Sequence, residues 1–324
     1  MQKQKLLICG VSGFIGGHLA EKLIQRDDLE VYGVYCKTQP RPALLNNSKI
    51  KLIKADLTDK SQIEKVVAGM DIIVQAAAVT TGVKDTITRP YVHVTDNAVM
   101  NALLYRAAFE HKVKHLVFFS CTTMYSPGPT PLREEDFNHQ IIPKYHGVAW
   151  TKVYNEKMCE FYARLGGTKF TAIRHSNIYG PYDKFDLDRS HVFGATVNKV
   201  MNNTDGVLSV WGDGSEGRDL IYVSDLVDFV ELVLAKQTAP FELVNLGCGD
   251  NVIIRDLVQK LIDAAGKTIK IEYDLTKPTM NFNIVLNCDK AHKQFGWSPK
   301  VSLDEGIAKT LAWYKQTFPS GGPR

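Results

Sequence analysis

Gly10-Val11-Ser12-Gly13-Phe14-Ile15-Gly16 decides how this chain folds. The stretch follows the apolar run Lys5–Cys9 and opens a helical pattern over Phe14–Arg26. Glycines so placed allow a tight turn and a close backbone approach to a pyrophosphate, and free N–H groups at a helix start favour its charge. A dinucleotide site is therefore expected, with Gly10, Ser12, Gly13, Phe14, Ile15 and Gly16 around the phosphates.

On either side of this turn, apolar β-rich runs alternate with helical patterns. Strands are expected at Lys5–Cys9, Glu30–Tyr35, Ile50–Lys54, Asp71–Ala76, His115–Ser120 and Phe170–Arg174. Helices are expected at Phe14–Arg26, Ser61–Val67, Tyr91–Glu110 and Gly147–Leu165. That alternation implies right-handed crossovers and an α/β, Rossmann-type, doubly wound parallel sheet. Beyond Arg174 the order becomes irregular, which suggests a smaller α/β C-terminal lobe. We expect a dinucleotide-binding domain over 1–175, with return segments near 218–247, and a mainly substrate-binding lobe over 176–324. The tail Pro319–Arg324 reads as frayed.

Composition narrows the class. The 324 residues are 44% hydrophobic and 23% charged, an ordinary globular balance. The formal net charge of +4 is too small to suggest nucleic acid as a partner. The longest apolar runs are strand-sized, so no membrane span is expected, and Met1–Lys5 shows no signal peptide. The cysteines Cys9, Cys36, Cys121, Cys159, Cys248 and Cys288 form no CxxC pair. No metal site is indicated, and the thiols fit a reduced, cytoplasmic protein.

The glycine spacing is GxxGxxG, and it resembles the extended, sugar-nucleotide-modifying branch of the short-chain dehydrogenase/reductase family (NAD-dependent epimerase/dehydratases). Asp56-Leu57 and Ala76-Ala77-Ala78 continue the likeness, and in the family they lie near the adenine and beside the phosphates and ribose. So do Arg174-His175-Ser176-Asn177-Ile178-Tyr179-Gly180-Pro181 and Arg218-Asp219-Leu220-Ile221-Tyr222-Val223-Ser224-Asp225-Leu226. Ser190-His191-Val192, after Asp183-Lys184-Phe185, resembles the GDP-fucose synthase group of epimerase/reductases. The resemblance implies a GDP-linked 4-keto-6-deoxysugar as substrate and a homodimer built on the helices Tyr91–Glu110 and Gly147–Leu165.

Cofactor choice is read at the end of the second strand. An NAD enzyme usually carries an acidic residue there for the ribose 2′-hydroxyl. This chain has Tyr35-Cys36-Lys37 with Arg41 nearby, and cations suit a 2′-phosphate, so NADP(H) is favoured over NAD(H). On the substrate side, Arg218 can fork onto a phosphate and Asn177 can offer an amide. The resemblance adds Lys277 and Trp211 to the substrate contacts. It also makes His191 an acid/base group on carbons flanking the C4 ketone, and places His191 and Lys152 beside the cofactor.

The reductive set is incomplete. The family's Tyr-xxx-Lys pair, one helical turn apart, here reads Val148-Ala149-Trp150-Thr151-Lys152. Valine cannot exchange a proton. Cys121 stands at the family's Ser/Thr position, followed by Thr122, and Thr123 replaces a second acid/base cysteine. Tyr145, one turn before Val148, is the residue that could reach the same space. Three functions follow: an epimerase/reductase, an epimerase without the reductive step, or a catalytically disabled NADP-binding protein.

Overall fold

The computed structural model describes residues 2–80, 89–128, 131–277 and 283–323. Six strands are laid down in order: β1 (Gln4–Cys9), β2 (Leu29–Tyr35), β3 (Ile50–Lys54), β4 (Ile72–Gln75), β5 (His115–Phe119) and β6 (Lys169–His175). They form a parallel sheet in the order β6-β5-β4-β1-β2-β3, and Phe241–Leu246 adds a seventh strand beside β6. Every residue of β4 and β5 is buried, as a parallel sheet covered on both faces requires. Leu6 and Ile8 face one apolar cluster while Leu7 and Cys9 face the other, following the two-residue period of the strand.

The expected doubly wound sheet is present, with element ends shifted by one to four residues. The helix expected from Tyr91 begins at Thr95, because Pro90–His93 takes a 3₁₀ turn first. The sequence reading missed the helices Val192–Met201 and Asp289–Phe295 and the three-residue strand Asn177–Tyr179. That strand pairs with Leu220–Tyr222. The tail does not fray as expected. Gly322 N–H donates to Asn202 Oδ1 at 2.9 Å, and the Asn198 amide holds the Pro323 carbonyl.

Buried ionisable groups make the fold acid-sensitive. His18, His115 and His175 are each pushed down to about 4, chiefly by burial. Burial lifts Asp183 to about 7. As pH falls from about 6.5 to about 4, the unfolded chain gains three histidine protons that the fold refuses, while Asp183 acts in the opposite sense and offsets one. Unfolding free energy should therefore fall by roughly 2–3 kcal/mol per pH unit across this window. Urea unfolding at pH 7, 6 and 5 checks the slope, and His115→Gln should flatten it by about half.

Candidate active site

The glycine turn lies at the carboxyl edge of the sheet. Gly10 takes a positive φ of 80°, and a Cβ there would sit 2.7 Å from the Ala77 backbone. A Cβ on Gly16 would lie 2.2 Å from the Gly10 carbonyl. Gly13 donates its N–H to that carbonyl at 2.9 Å. The helix Phe14–Leu23 then starts without a side-chain cap, which leaves its first N–H groups for an anion. Such a cradle fits a dinucleotide pyrophosphate. Gly16→Ala should weaken binding of a nicotinamide dinucleotide at least about tenfold, read by quenching of protein fluorescence.

Ala76 and Ala77 form the opposite wall, held by groups that the sequence reading missed. Asn97 clamps Val79 through both backbone groups, at 2.9 and 3.0 Å. Gln75 bonds Asn101 at 2.7 Å and accepts from Ala77 N–H at 3.2 Å. Buried asparagines four residues apart on an otherwise apolar helical face were the available signal. Ala78 is exposed, and the Leu57 side chain goes into the core instead of toward the cradle. Asp56 is exposed and accepts from Thr58 N–H at 2.9 Å.

The two cations after β2 part company. Lys37 is exposed at the strand end. Arg41 pairs with Glu21 at 3.2 Å, donates to the Phe14 carbonyl at 3.4 Å and lies 3.8 Å over the Tyr182 ring. Arg41 therefore ties the first helix to the segment after Pro181.

Lys152 lies on the helix His146–Leu165, preceded by the 3₁₀ turn Pro143–Tyr145. Lys152 donates through Nζ to the Phe119 carbonyl at 2.7 Å. Burial lowers its pKa, opposed by the nearby Cys121 and Glu156. Val148 lies one turn earlier and is half-buried. Cys121 Sγ and Thr123 Oγ1 are 2.9 Å apart, and Thr122 lends its carbonyl to Tyr125 N–H, forming the turn. Tyr145 is raised mainly by burial, in the field of Arg218, Glu216 and Cys121. Those neighbours set it between the Cys121 turn and the Glu216–Arg218 pair.

Beneath Lys152 runs a buried network. Arg174 grips Glu156 through Nε at 3.0 Å and Nη2 at 2.7 Å, and Ser120 donates to the same carboxylate at 2.5 Å. Arg174 Nη1 also reaches the Tyr125 hydroxyl, which donates to Asn245 Oδ1 at 2.8 Å.

The lobe contributes the rest. His191 is the residue before the helix Val192–Met201 and makes no side-chain cap bond, and desolvation by the surrounding protein, then Lys184, lower its pKa. Lys184 reaches the Thr80 carbonyl and hydroxyl at 2.9 Å, joining the lobe to the loop after β4. Asn177 donates to the Asp219 carbonyl at 3.1 Å, and Arg218 bonds Glu216 at 2.5 Å. Asp219 gathers the N–H groups of Cys248, Gly249 and Leu286. Trp211 is half-exposed and pairs in register with Asp274, whose carbonyl accepts from Lys277 N–H at 3.3 Å, so Trp211 and Lys277 share one end of a small sheet. Among the described residues no cluster of metal-ligating side chains occurs.

Residues 6–247 match the model of the NAD dependent epimerase/dehydratase family. This chain belongs to that family. It is 30% identical to a GDP-L-fucose synthase of Sinorhizobium fredii over 79% of this chain and 83% of that one. The GDP-L-fucose synthase of Escherichia coli is 27% identical, with 97% of each chain covered. A UDP-glucose 4-epimerase of Thermotoga maritima, solved with UDP-glucose, superposes with a TM-score of 0.86 at 25% identity, over 97% of this chain and 100% of that one. The family binds NAD(P), and its members here are enzymes of sugar nucleotides: epimerases and reductases.

Proposed function

We propose that this protein is an NADP(H)-dependent epimerase/reductase acting on a GDP-linked 4-keto-6-deoxysugar. The observation that carries this reading is Lys152 Nζ, held at 2.7 Å by the Phe119 carbonyl at the end of β5, next to the turn in which Cys121 Sγ and Thr123 Oγ1 lie 2.9 Å apart. The likeness to GDP-L-fucose synthases supports GDP as the nucleotide. Lys37 supports NADP(H) as the cofactor, for the 2′-phosphate. NADP(H), when bound, exchanges a hydride with the sugar.

The chain's own groups do the rest. Lys152 holds the nicotinamide ribose. Arg218 and Lys277 offset phosphate charge, Asn177 offers an amide, and Trp211 presents an aromatic face. His191 moves a proton at C3 or C5, where the adjacent ketone acidifies the C–H bonds. Tyr145 presents its hydroxyl from the substrate side. The exposed Trp150, Tyr154, Phe161 and Leu165 on the catalytic helix, with Val99 on the helix Thr95–Glu110, support a homodimer closed on that face. The free cysteines support a cytoplasmic location.

NADPH consumption with GDP-4-keto-6-deoxymannose tests the reading, and NADPH should outperform NADH at least about tenfold in kcat/KM. Lys37→Glu should narrow or reverse that ratio. Val148 favours a second reading, an epimerase without the reductive step. It predicts solvent deuterium at C3 or C5 and no alcohol at C4.

A further inference from the structure

Three consecutive residues at the end of β5 meet the helix His146–Leu165. The Phe119 carbonyl holds Lys152 Nζ at 2.7 Å, the Ser120 hydroxyl donates to Glu156 Oε1 at 2.5 Å, and Cys121 follows with its thiol 2.9 Å from Thr123 Oγ1. Lys152 and Glu156 stand one turn apart on that helix, so its face grips the strand end twice. The far end of the turn is pinned to the same carboxylate through Arg174. Arg174 holds Glu156 at 2.7 and 3.0 Å and donates through Nη1 to the Tyr125 hydroxyl at 2.9 Å, and Tyr125 N–H bonds the Thr122 carbonyl at 3.0 Å. Ser120, Tyr125, Glu156 and Arg174 are each at most 3% exposed, so water offers these bonds no alternative.

We propose that Glu156 and Arg174 are positioning residues for the reaction: through Ser120 and Tyr125 they hold both ends of the Cys121 turn in register with Lys152. The inference rests on the sugar-nucleotide reading above, in which Lys152 holds the nicotinamide ribose and Cys121 stands at the family's Ser/Thr position. A buried ion pair adds little to stability over apolar side chains of the same volume, because desolvation offsets its attraction. Its geometry is what apolar side chains cannot replace. The carboxylate accepts from the strand-end hydroxyl, while the guanidinium fork reaches both that carboxylate and the tyrosine. Freeing the turn shifts Cys121 and Thr123 against Lys152, and a misplacement of about 1 Å costs about 10²-fold in rate. Sugar-nucleotide binding lies with Arg218 and Asn177 on the lobe, so KM should hold.

Two double variants separate position from stability. Arg174→Met/Glu156→Leu and Arg174→Met/Glu156→Gln both remove the charges, but only glutamine leaves an oxygen for the Ser120 hydroxyl. The glutamine also buries an unpaired amide N–H, so this variant should melt lower than the leucine one. Activity should rank the other way. In NADPH-dependent reduction of GDP-4-keto-6-deoxymannose, the leucine variant should lose about 10²-fold in kcat and the glutamine variant about tenfold or less, with KM within about threefold in both. Ser120→Ala should cost about tenfold in the wild-type background and nothing further beside Glu156→Leu. Met124 is buried within the turn, and carbon-13 NMR of its methyl group, assigned by its loss in Met124→Leu, reads the turn without turnover. That signal should keep its wild-type position in the glutamine variant and move or broaden in the leucine variant. An unmoved Met124 signal, a leucine variant within about threefold of wild type in kcat, or activity that follows melting temperature across the two variants overturns the proposal. Wild-type protein that leaves the ketone untouched, with the Met124 signal still moving between the variants, overturns instead the sugar-nucleotide reading.

Discussion

Lys152→Met should lose about a thousandfold or more in kcat for ketone reduction while the fold stays intact. Lys152 is the half of the family's Tyr-xxx-Lys pair that this chain retains, and the Phe119 carbonyl fixes its Nζ at 2.7 Å. A buried ammonium held by one carbonyl stabilises the fold little, because its desolvation cost offsets that bond. Methionine has nearly the same length and removes that cost, so the melting temperature should hold or rise slightly. Activity and stability should thus separate. Steady-state kinetics and a thermal melt on one preparation check it, and a parallel drop in both would mark Lys152 as structural.

The second large effect is on stability. Arg174→Met leaves Glu156 buried, with Ser120 as its remaining charge-compensating donor. Removing one partner of such a buried pair costs about 3–5 kcal/mol. For a chain of this size that corresponds to a melting temperature lower by roughly 4–7 °C. Replacing both partners, Arg174→Met with Glu156→Leu, should recover most of the loss, because no uncompensated charge remains. A double variant as unstable as the single one would show that the pair is needed for its hydrogen bonds to Tyr125 and Ser120 rather than for its charge.

The sheet was legible because its strands are buried on both faces and bounded by turn residues, so burial and periodicity gave the same answer for β1 to β6. The cradle was legible because only glycine tolerates the φ of Gly10 and the space beside Gly16. The lobe was harder to read. Its strands are two or three residues long at Asn177–Tyr179 and Gly217–Arg218, too short to show a period.

The site was legible only in part. Lys152 and His191 sit in recognisable local patterns, but what surrounds them comes from distant segments. Arg41 read as a free cation, yet Glu21 and Tyr182 already engage it, and both contacts are long-range.

The most direct test of the account is to follow the hydride. Incubation of GDP-4-keto-6-deoxymannose with NADPH deuterated at the transferring position of the nicotinamide should place deuterium on C4 of the sugar in the product, read by proton and deuterium NMR. NADPH left unconsumed and C4 unlabelled, with protein and substrate both intact, would contradict it.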